Sequence, residues 1–277
     1  MNTPGAAEGR SALAGETGDV TGGRRSGFLK RDLIANAVVI GLLVLGMELW
    51  SHNVPAYIMP APVQSWHAIV EALGENYFDI LLTLGRLLVS VAFALVVGSL
   101  MGAVMALVRP LQPFLKSVVI IDTGVPALSW MLFAVFWFKD AEARVFFILA
   151  MILLPFYVLN VYDGIRALST DLVEMVETFR PSRWQVLRLL ILPHVVPYVL
   201  MTTKSIIGYA TRMTVFAELV SVNSGMGARM SLAQNNFQME GVIAWTVLLV
   251  ALNLMMQALV GFAEKSLLRW RPEVSVR

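Results

Sequence analysis

The sequence contains no cysteine among its 277 residues, and only 14% of its side chains are charged. The absence of cysteine excludes disulfides, thiolate metal sites and cysteine nucleophiles. Ordinary soluble domains carry about 25% charged residues. With 57% hydrophobic residues and a mean hydropathy of +0.71, this chain has too few charges to coat a soluble globule, and a lipid bilayer is the expected solvent.

Several catalytic motifs are also missing from the sequence. No G-x-x-x-x-G-K-[ST] loop is present, so we do not expect the chain to bind and hydrolyse ATP by itself. Neither H-E-x-x-H nor G-x-S-x-G occurs, and the three histidines are scattered, at His52, His67 and His194. The formal net charge of +2 gives no support to nucleic-acid binding. We therefore predict neither an enzyme nor a cofactor or metal site.

Long apolar runs are what the sequence does contain, and they predict an all-α membrane protein. A span needs roughly 20 mostly apolar residues. Six segments meet this rule approximately: 33–50, 80–108, 114–138, 145–162, 194–220 and 241–263. Asp122, Gly124 and Pro126 interrupt the third and predict a helix break there.

Two further patterns concern packing and the surface. Residues 64–73 predict a short amphipathic surface helix. Small residues four apart in the second span (Ala94, Gly98, Gly102, Ala106) predict close helix packing.

The positions of Lys and Arg orient the chain in the membrane. Of the 21 such residues, the connections on one side receive Lys139, Arg144 and Arg229, and the spans contain Arg86, Lys204 and Arg212. The remaining fifteen lie on the side of the N-terminus, which predicts that both termini are cytoplasmic.

We expect a disordered tail over 1–30, a membrane domain over 31–271 and a short tail over 272–277. The stretch "GRRSGFLK" resembles a twin-arginine export signal, but a basic anchor before a retained first helix fits better.

Polar and charged residues inside the spans are candidates for a translocation path. A charge at bilayer depth costs about 2.5–3.5 kcal/mol or more, so it normally faces a cavity or a partner. Lys204, Thr211 and Glu218 are seven residues apart and share one helix face, and Arg212 lies about a quarter-turn away. These four residues are either path residues or structural groups, that is, partnered charges that fix helix packing or long side chains that reach toward an interface. Asp122 is either a path residue or part of the helix break.

A charged stretch of helical periodicity, "EMVETFRPSRWQVLRLLILP" (174–193), separates the fourth and fifth spans. Asp171 or Thr170 can cap a first helix that runs to Phe179, and Pro181 disfavours helical backbone at Arg180. Pro181 or Ser182 can start a second helix, with Trp184, Leu187 and Ile191 on an apolar side, Arg183 and Arg188 exposed, and Pro193 at its end. From the residues alone, this is either an interfacial helix pair or a docking element for a cytosolic partner.

This stretch resembles the cytoplasmic loop of bacterial ABC-importer permeases, which has the form E-A-A, three residues, G, nine residues, I-x-L-P. Glu174, Leu192 and Pro193 match in register, and Arg180 replaces the glycine. "MPAPVQSWHAI", "VPALSWMLFAVFWF", "FAELVSVNSGMG" and "EKSLLRWR" are similar to the nitrate, sulfonate and taurine branch. The motif positions and their neighbours in this stretch together predict ten residues that dock the partner: Glu174, Glu177, Arg180, Pro181, Ser182, Arg183, Trp184, Arg188, Leu192 and Pro193.

The resemblance implies a MetI-like permease fold in the bacterial inner membrane, with a coupling-helix pair between helices four and five. It also implies a second permease subunit in a homodimer, two cytosolic ATPases on the coupling loops, and a periplasmic or lipid-anchored binding protein. The expected function is ATP-driven import of a small, anionic solute such as nitrate, a sulfonate or taurine. The alternative is a secondary transporter driven by protons or sodium, with Glu218 and Asp122 as coupling carboxylates.

Overall fold

The computed structural model describes residues 20–268, and within them the side chains of 34–268 except those of 173, 177 and 183. In this range the chain is helical and forms no β-strand. The helices are α1 (Val20–Ser51), α2 (Pro62–Glu75), α3 (Tyr77–Leu107), α4 (Gln112–Gly124), α5 (Ala127–Trp137), α6 (Ala141–Arg166), α7 (Thr170–Thr178), α8 (Arg183–Val186), α9 (Leu192–Ser221), α10 (Met226–Asn235) and α11 (Met239–Leu267), with a π-helical segment (Leu187–Ile191) between α8 and α9.

Five of the described helices are long and apolar enough to cross a membrane, or six spans if the bent pair α4 and α5 counts as one. Each contains one of the six predicted apolar segments, except that the second and third segments extend one residue beyond the helix end. The third span is broken, since α4 and α5 meet at 96°. Val125 between them is extended, as expected for a residue before a proline, and Pro126 caps α5. The predicted break at this position is therefore confirmed.

The chain divides into two compact units, residues 1–62 and 63–277. The first contains α1, whose apolar side chains from Ile34 onward are mostly exposed, as expected for a span without protein neighbours in its own unit. Helix α1 begins at Val20, so it extends into the segment that we expected to be disordered. The rest of that predicted tail, and the predicted C-terminal tail, lie outside the described residues.

The second unit is built around α3, α6 and α9. Leu87, Leu153, Tyr157 and Ile207 are fully or almost fully buried where these helices meet. The small-residue seam of α3 faces α6: a Cβ at Gly98 would lie 2.7 Å from the Cβ of Tyr157. Because lipid is as apolar as the side chains, such close packing, and not hydrophobic burial, holds the helices together.

Candidate functional site

The segment that joins α6 to α9 consists of a kinked pair of helices, as the sequence predicts. Helix α7 ends at Thr178, and the second helix begins at Arg183. We call residues 170–193 the coupling segment. Most of the predicted docking residues whose side chains are described lie exposed, and Pro181 is half-buried. The exposed members are Glu174, Arg180, Ser182, Trp184, Arg188, Leu192 and Pro193. The side chains of Glu177 and Arg183 lie outside the described residues.

Arg180 makes the kink by adopting a left-handed backbone conformation, with φ of 48°. An L-residue in this conformation costs roughly 1–2 kcal/mol, a penalty from which glycine is free. Pro181 disfavours the ordinary helical alternative for the residue before it. Arg-Pro therefore builds a turn of the kind that glycine would allow at this position.

A reciprocal capping box starts the second helix. The N–H of Ser182 donates to Oε1 of Gln185 at 2.7 Å, and the N–H of Gln185 lies 3.3 Å from Oγ of Ser182. This arrangement satisfies two backbone donors that a helix N-terminus otherwise leaves free. Gln185 was missed in the sequence, although the pattern Ser-x-x-Gln before an apolar run is the signature of this cap.

The second helix does not end at Pro193, and this prediction was wrong. It passes through the π-helical segment directly into α9, and Ile191 and Leu192 both have helical dihedrals. Pro193 lacks an N–H and clashes with the carbonyl four residues earlier, so an α-helix is disfavoured at that step. One wide turn accommodates the proline without ending the helix, since the Leu192 N–H bonds to the carbonyl of Leu187.

The π-helical segment also divides the residues that the sequence predicted to share one apolar face of the second helix. Ile191 is buried, and it packs with Leu187 against Val161 and Ile165 of α6. Trp184 instead remains 67% exposed. The wide turn adds a residue between Trp184 and Ile191, so the 3.6-residue periodicity does not keep them on one face.

An apolar groove of about 330 Å³ lies between α7 and the second helix. It is lined by Met175, Val176, Phe179, Pro181, Gln185, Leu189 and Leu190. Phe179 is 81% exposed, and Leu189 and Met175 are also largely exposed. The coupling segment therefore combines a rigid kink with a concave apolar surface, the form of a surface that receives side chains of a partner.

Two of the predicted path residues are buried inside the second unit. Glu218 and Thr211 are both 0% exposed. Nη1 of Arg86 donates to Oε1 of Glu218 at 2.7 Å, the Gly227 N–H donates to Oε2 at 3.0 Å, and Oγ1 of Thr83 lies 2.9 Å from both oxygens. The carboxylate of Glu218 is thus fully partnered, which supports its structural interpretation.

Glu218 is part of a partly buried ion network formed by Asp79, Arg86, Glu142, Glu218 and Arg229. Arg86 also contacts Glu142 through two hydrogen bonds, from Nε at 2.8 Å and from Nη2 at 2.5 Å. Nε of Arg229 donates to Oδ2 of Asp79 at 2.7 Å. Together these pairs connect α3, α6, α9 and α10.

The loop before α10 closes this network with its backbone. The Gly225 N–H donates to Oδ1 of Asp79 at 2.7 Å, and Nη1 of Arg86 donates to the Ser224 carbonyl at 2.8 Å. Gly225 has φ of +98°, and a Cβ there would collide with the Glu218 carboxylate. The sequence signal for this network was Arg86, a charge inside an otherwise apolar span, but its partners are distant in sequence.

The predicted stripe of Lys204, Thr211 and Glu218 is therefore not a continuous exposed face. Thr211 is buried and Glu218 is enclosed by residues of α3 and α10, whereas Lys204 is exposed and pairs with Glu264 of α11 (Nζ to Oε2, 2.7 Å). Arg212 is also exposed, and its Nε donates to the Gly208 carbonyl of its own helix at 3.1 Å. Helical spacing places the three residues on one face of α9, but the neighbouring helices decide which of the three side chains is exposed.

Asp122 lies in the wall of a cavity of about 220 Å³ at the break between α4 and α5. Trp130, Asn160 and Tyr209 bring polar groups to the same cavity from α5, α6 and α9. The Oδ1 atom of Asp122 is buried and has no hydrogen-bond partner among the described residues. The cavity thus joins residues of the third and fifth spans, but among the predicted path residues only Asp122 lines it.

Comparison with known proteins places this architecture in a family. The model of the family "binding-protein-dependent transport system inner membrane component" matches residues 94–269. RibX of Chloroflexus aurantiacus, named a riboflavin transport system permease protein, is 25% identical over 82% of the chain and 88% of its own length. SsuC of Bacillus subtilis, named for aliphatic sulfonates transport, is 24% identical over 90% of both chains. NrtB of Synechococcus elongatus, a nitrate import permease protein, is 25% identical over 54% of the chain and 53% of its own length.

Solved structures show the same fold at lower identity. A bacterial ABC transporter for import of the acidic polysaccharide alginate superposes with a TM-score of 0.63 at 13% identity, over 88% of this chain and 99% of that chain. The MetNI methionine ABC transporter superposes with a TM-score of 0.57 at 17% identity, over 68% of this chain and 91% of that chain. The predicted MetI-like permease fold is therefore confirmed.

Proposed function

The chain belongs to the family of binding-protein-dependent transport system inner membrane components, the permease subunits of ABC importers, and we propose that its coupling segment docks a cytosolic ATPase. ATP hydrolysis takes place on that separate subunit. The proposal further comprises a homodimer of permeases in a bacterial inner membrane, with both termini cytoplasmic, and a binding protein that delivers the solute. The orientation is supported by the asymmetry of Lys and Arg between the connections.

The observation that carries the proposal is the exposed apolar groove on the kinked coupling segment. Single exposed apolar side chains are ordinary, but Met175, Phe179 and Leu189 line one concavity beside charged residues, which is the composition of a docking surface. The capping box and the Arg180 turn fix the angle between its two walls. A partner therefore meets a preformed surface.

The continuity of the second helix with α9 supplies the coupling step. A partner that moves α8 moves α9 as well, because no loop separates them. Helix α9 packs against α6 and carries Lys204, Arg212 and the cavity residue Tyr209. Closure of two ATPases would in this way shift the path helix as a rigid body and switch the pore between inward- and outward-open states.

For the solute we propose a small anion. Lys204 and Arg212 lie on the exposed side of α9, and relatives are named for sulfonates and nitrate, although another is named for riboflavin. The ion-coupled alternative is not favoured. Glu218, which it needs as a free coupling carboxylate, is enclosed by Arg86, Thr83 and Gly227.

The docking proposal is tested by co-purification of the cognate ATPase subunit with single variants of the permease. Phe179→Ala removes the most exposed side chain of the groove, and we expect at least about a tenfold loss of retained ATPase, as for an interface anchor. Phe136→Ala is the matched control, because Phe136 is 85% exposed but lies on α5, away from the coupling segment. Equal retention by the two variants would count against the groove as the docking surface.

A further inference from the structure

A line of polar side chains runs along the last helix, α11. Thr246, Asn253, Gln257 and Glu264 are spaced by seven, four and seven residues, and this spacing keeps them on one face of an α-helix. All four are exposed or half-buried. Apart from one tryptophan, no other polar side chain occurs over 242–263. We call these four residues the α11 stripe.

A second polar line lies on α9 and is joined to the α11 stripe by direct contacts. Lys204, Gly208 and Arg212 follow one another at intervals of four residues. Nζ of Lys204 pairs with Oε2 of Glu264 at 2.7 Å. A Cβ at Gly208 would lie 3.2 Å from Oδ1 of Asn253, and Nε of Arg212 donates to the Gly208 carbonyl at 3.1 Å. The two lines therefore form one polar surface along α9 and α11.

The central part of this surface retains free hydrogen-bonding groups near the middle of the membrane. Asn253 is the middle residue of α11, about 21 Å from either helix end at 1.5 Å per residue. Nε2 of Gln257 donates to Oδ1 of Asn253 at 3.2 Å, which leaves Nδ2 of Asn253 and Oε1 of Gln257 without a partner among the described residues. Both Nη atoms of Arg212 are likewise unpartnered within the described part of the chain.

The side chains of this surface favour contact with water over contact with lipid or with another helix. Lipid tails offer no hydrogen bonds, so polar groups exposed at this depth normally face a water-filled cavity or a polar partner. Tightly packed helix interfaces in lipid are built from small residues. This surface instead presents the long side chains of Lys204, Arg212 and Gln257, which keep a neighbouring backbone at a distance.

We propose that α11 forms a wall of the translocation path together with α9, with the amides of Asn253 and Gln257 as its hydrogen-bonding groups and Arg212 as the charge that makes it prefer anions. The inference rests on the proposed import function and adds the last span to the third and fifth spans. Lys204 contributes no net charge to this wall, because Glu264 compensates it. Arg212 is thus the uncompensated charge among the described residues of the surface.

The absence of cysteine allows a direct test by thiol chemistry. Gln257→Cys introduces a single thiol on the α11 stripe. Met255→Cys is the matched control, because Met255 is 43% exposed and lies two residues away, roughly 200° around the helix. Each variant is reconstituted with its ATPase in lipid nanodiscs, with and without a non-hydrolysable ATP analogue. The reagents are the anionic 2-sulfonatoethyl and the cationic 2-(trimethylammonio)ethyl methanethiosulfonate, which react with thiolates that are accessible from water.

We expect Gln257→Cys to react at least about tenfold faster than Met255→Cys in at least one nucleotide state, because a thiol among apolar groups stays protonated and inert. Relative to their rates with a free thiol in solution, the anionic reagent should react at least about fivefold faster than the cationic one, since Arg212 attracts the first and repels the second. Arg212→Gln should abolish this preference, and Arg212→Lys, which keeps the charge, should retain it.

Ser205→Cys provides a second position should Gln257→Cys fail to fold. It is a nearly isosteric change, and Ser205 is exposed seven residues before Arg212, on the same face of α9. We expect the same preference for the anionic reagent at this position.

Three results would overturn the proposal. The first is no reaction at either position in either nucleotide state, which would mean that the surface is packed against protein or lipid. The second is equal reaction of Met255→Cys and Gln257→Cys, and the third is a preference for the anionic reagent that survives Arg212→Gln. None of these measurements uses the transported solute. Retention of the ATPase is measured separately by co-purification, so the failure of this inference is distinguishable from the failure of the import function.

Discussion

At the scale of single residues, Arg180 and Glu218 show how one side chain or one backbone angle determines its surroundings. Arg180 holds a backbone conformation that glycine adopts more easily, and it thereby sets the kink of the coupling segment. Glu218 sits with no exposure among three donors, Thr83 and Arg86 of α3 and Gly227 of α10. Each residue leads to a separate prediction.

Arg180→Gly should leave transport and ATPase binding unchanged, because glycine adopts φ of 48° without strain. Arg180→Val is the contrasting variant, since a β-branched residue is an outlier at positive φ. We expect it to reduce ATPase co-purification several-fold. If Arg180→Gly abolished transport while Arg180→Val did not, the guanidinium group and not the turn would be the important feature.

Glu218→Ala should destabilise the protein by about 3–5 kcal/mol, because it leaves Arg86 buried beside a lost partner. Glu142→Gln should cost at most about 1 kcal/mol, since the Glu142 side chain is 56% exposed and solvent screens its pairing with Arg86. The measurement is thermal unfolding of both variants in the same detergent. Arg86→Met combined with Glu218→Leu should recover part of the loss. An unchanged unfolding temperature for Glu218→Ala would show that the network contributes little.

Backbone features near a proline were predictable from the sequence, whereas pairings between distant side chains were not. The kink at Arg180 and the break at Pro126 were predictable because proline acts on the backbone of its immediate neighbours. The pairing of Arg86 with Glu218 was not, because it joins residues 132 positions apart and depends on how the helices pack. For the same reason, helical spacing placed Thr211 and Glu218 on the face of Lys204 without indicating that only Lys204 is open.

At the scale of secondary-structure elements, the main feature is the uninterrupted path from α8 through the π-helical segment into α9. The sequence suggested a stop at Pro193, since an α-helix with proline in its interior loses a hydrogen bond and meets a steric clash. A wide turn of five residues, Leu187–Ile191, accommodates the proline. The second helix of the coupling segment and α9 are consequently one continuous helical element.

Arg188→Gly should reduce the amount of solute transported per ATP hydrolysed while the ATPase stays bound. Glycine loosens helical backbone by about 1 kcal/mol relative to alanine, and Arg188 lies exposed within the π-helical segment. Arg188→Ala is the matched control, because it removes the same side chain but keeps a strong helix former. Transport and ATP hydrolysis are measured together in proteoliposomes. Equal coupling ratios for the two variants would contradict transmission through this helix.

At the scale of the whole molecule, the second unit combines a rigid body with two candidate functional regions. The partly buried ion network joins α3, α6, α9 and α10, so these helices are expected to move together. The coupling segment projects an apolar groove from this body, and the cavity with Asp122 lies where the broken third span meets α6 and α9. A force applied at the first region therefore reaches the second through α9.

The central claim is that the coupling segment contacts the ATPase, and site-specific photo-crosslinking in intact membranes tests it most directly. A photoreactive amino acid is introduced at Trp184, which is 67% exposed on the coupling segment, or at Trp137, which is 61% exposed at the end of α5. The account predicts a crosslinked product with the ATPase from position 184 and none from position 137. Crosslinking from position 137 alone, or from neither position in a complex that still hydrolyses ATP in response to solute, would contradict it.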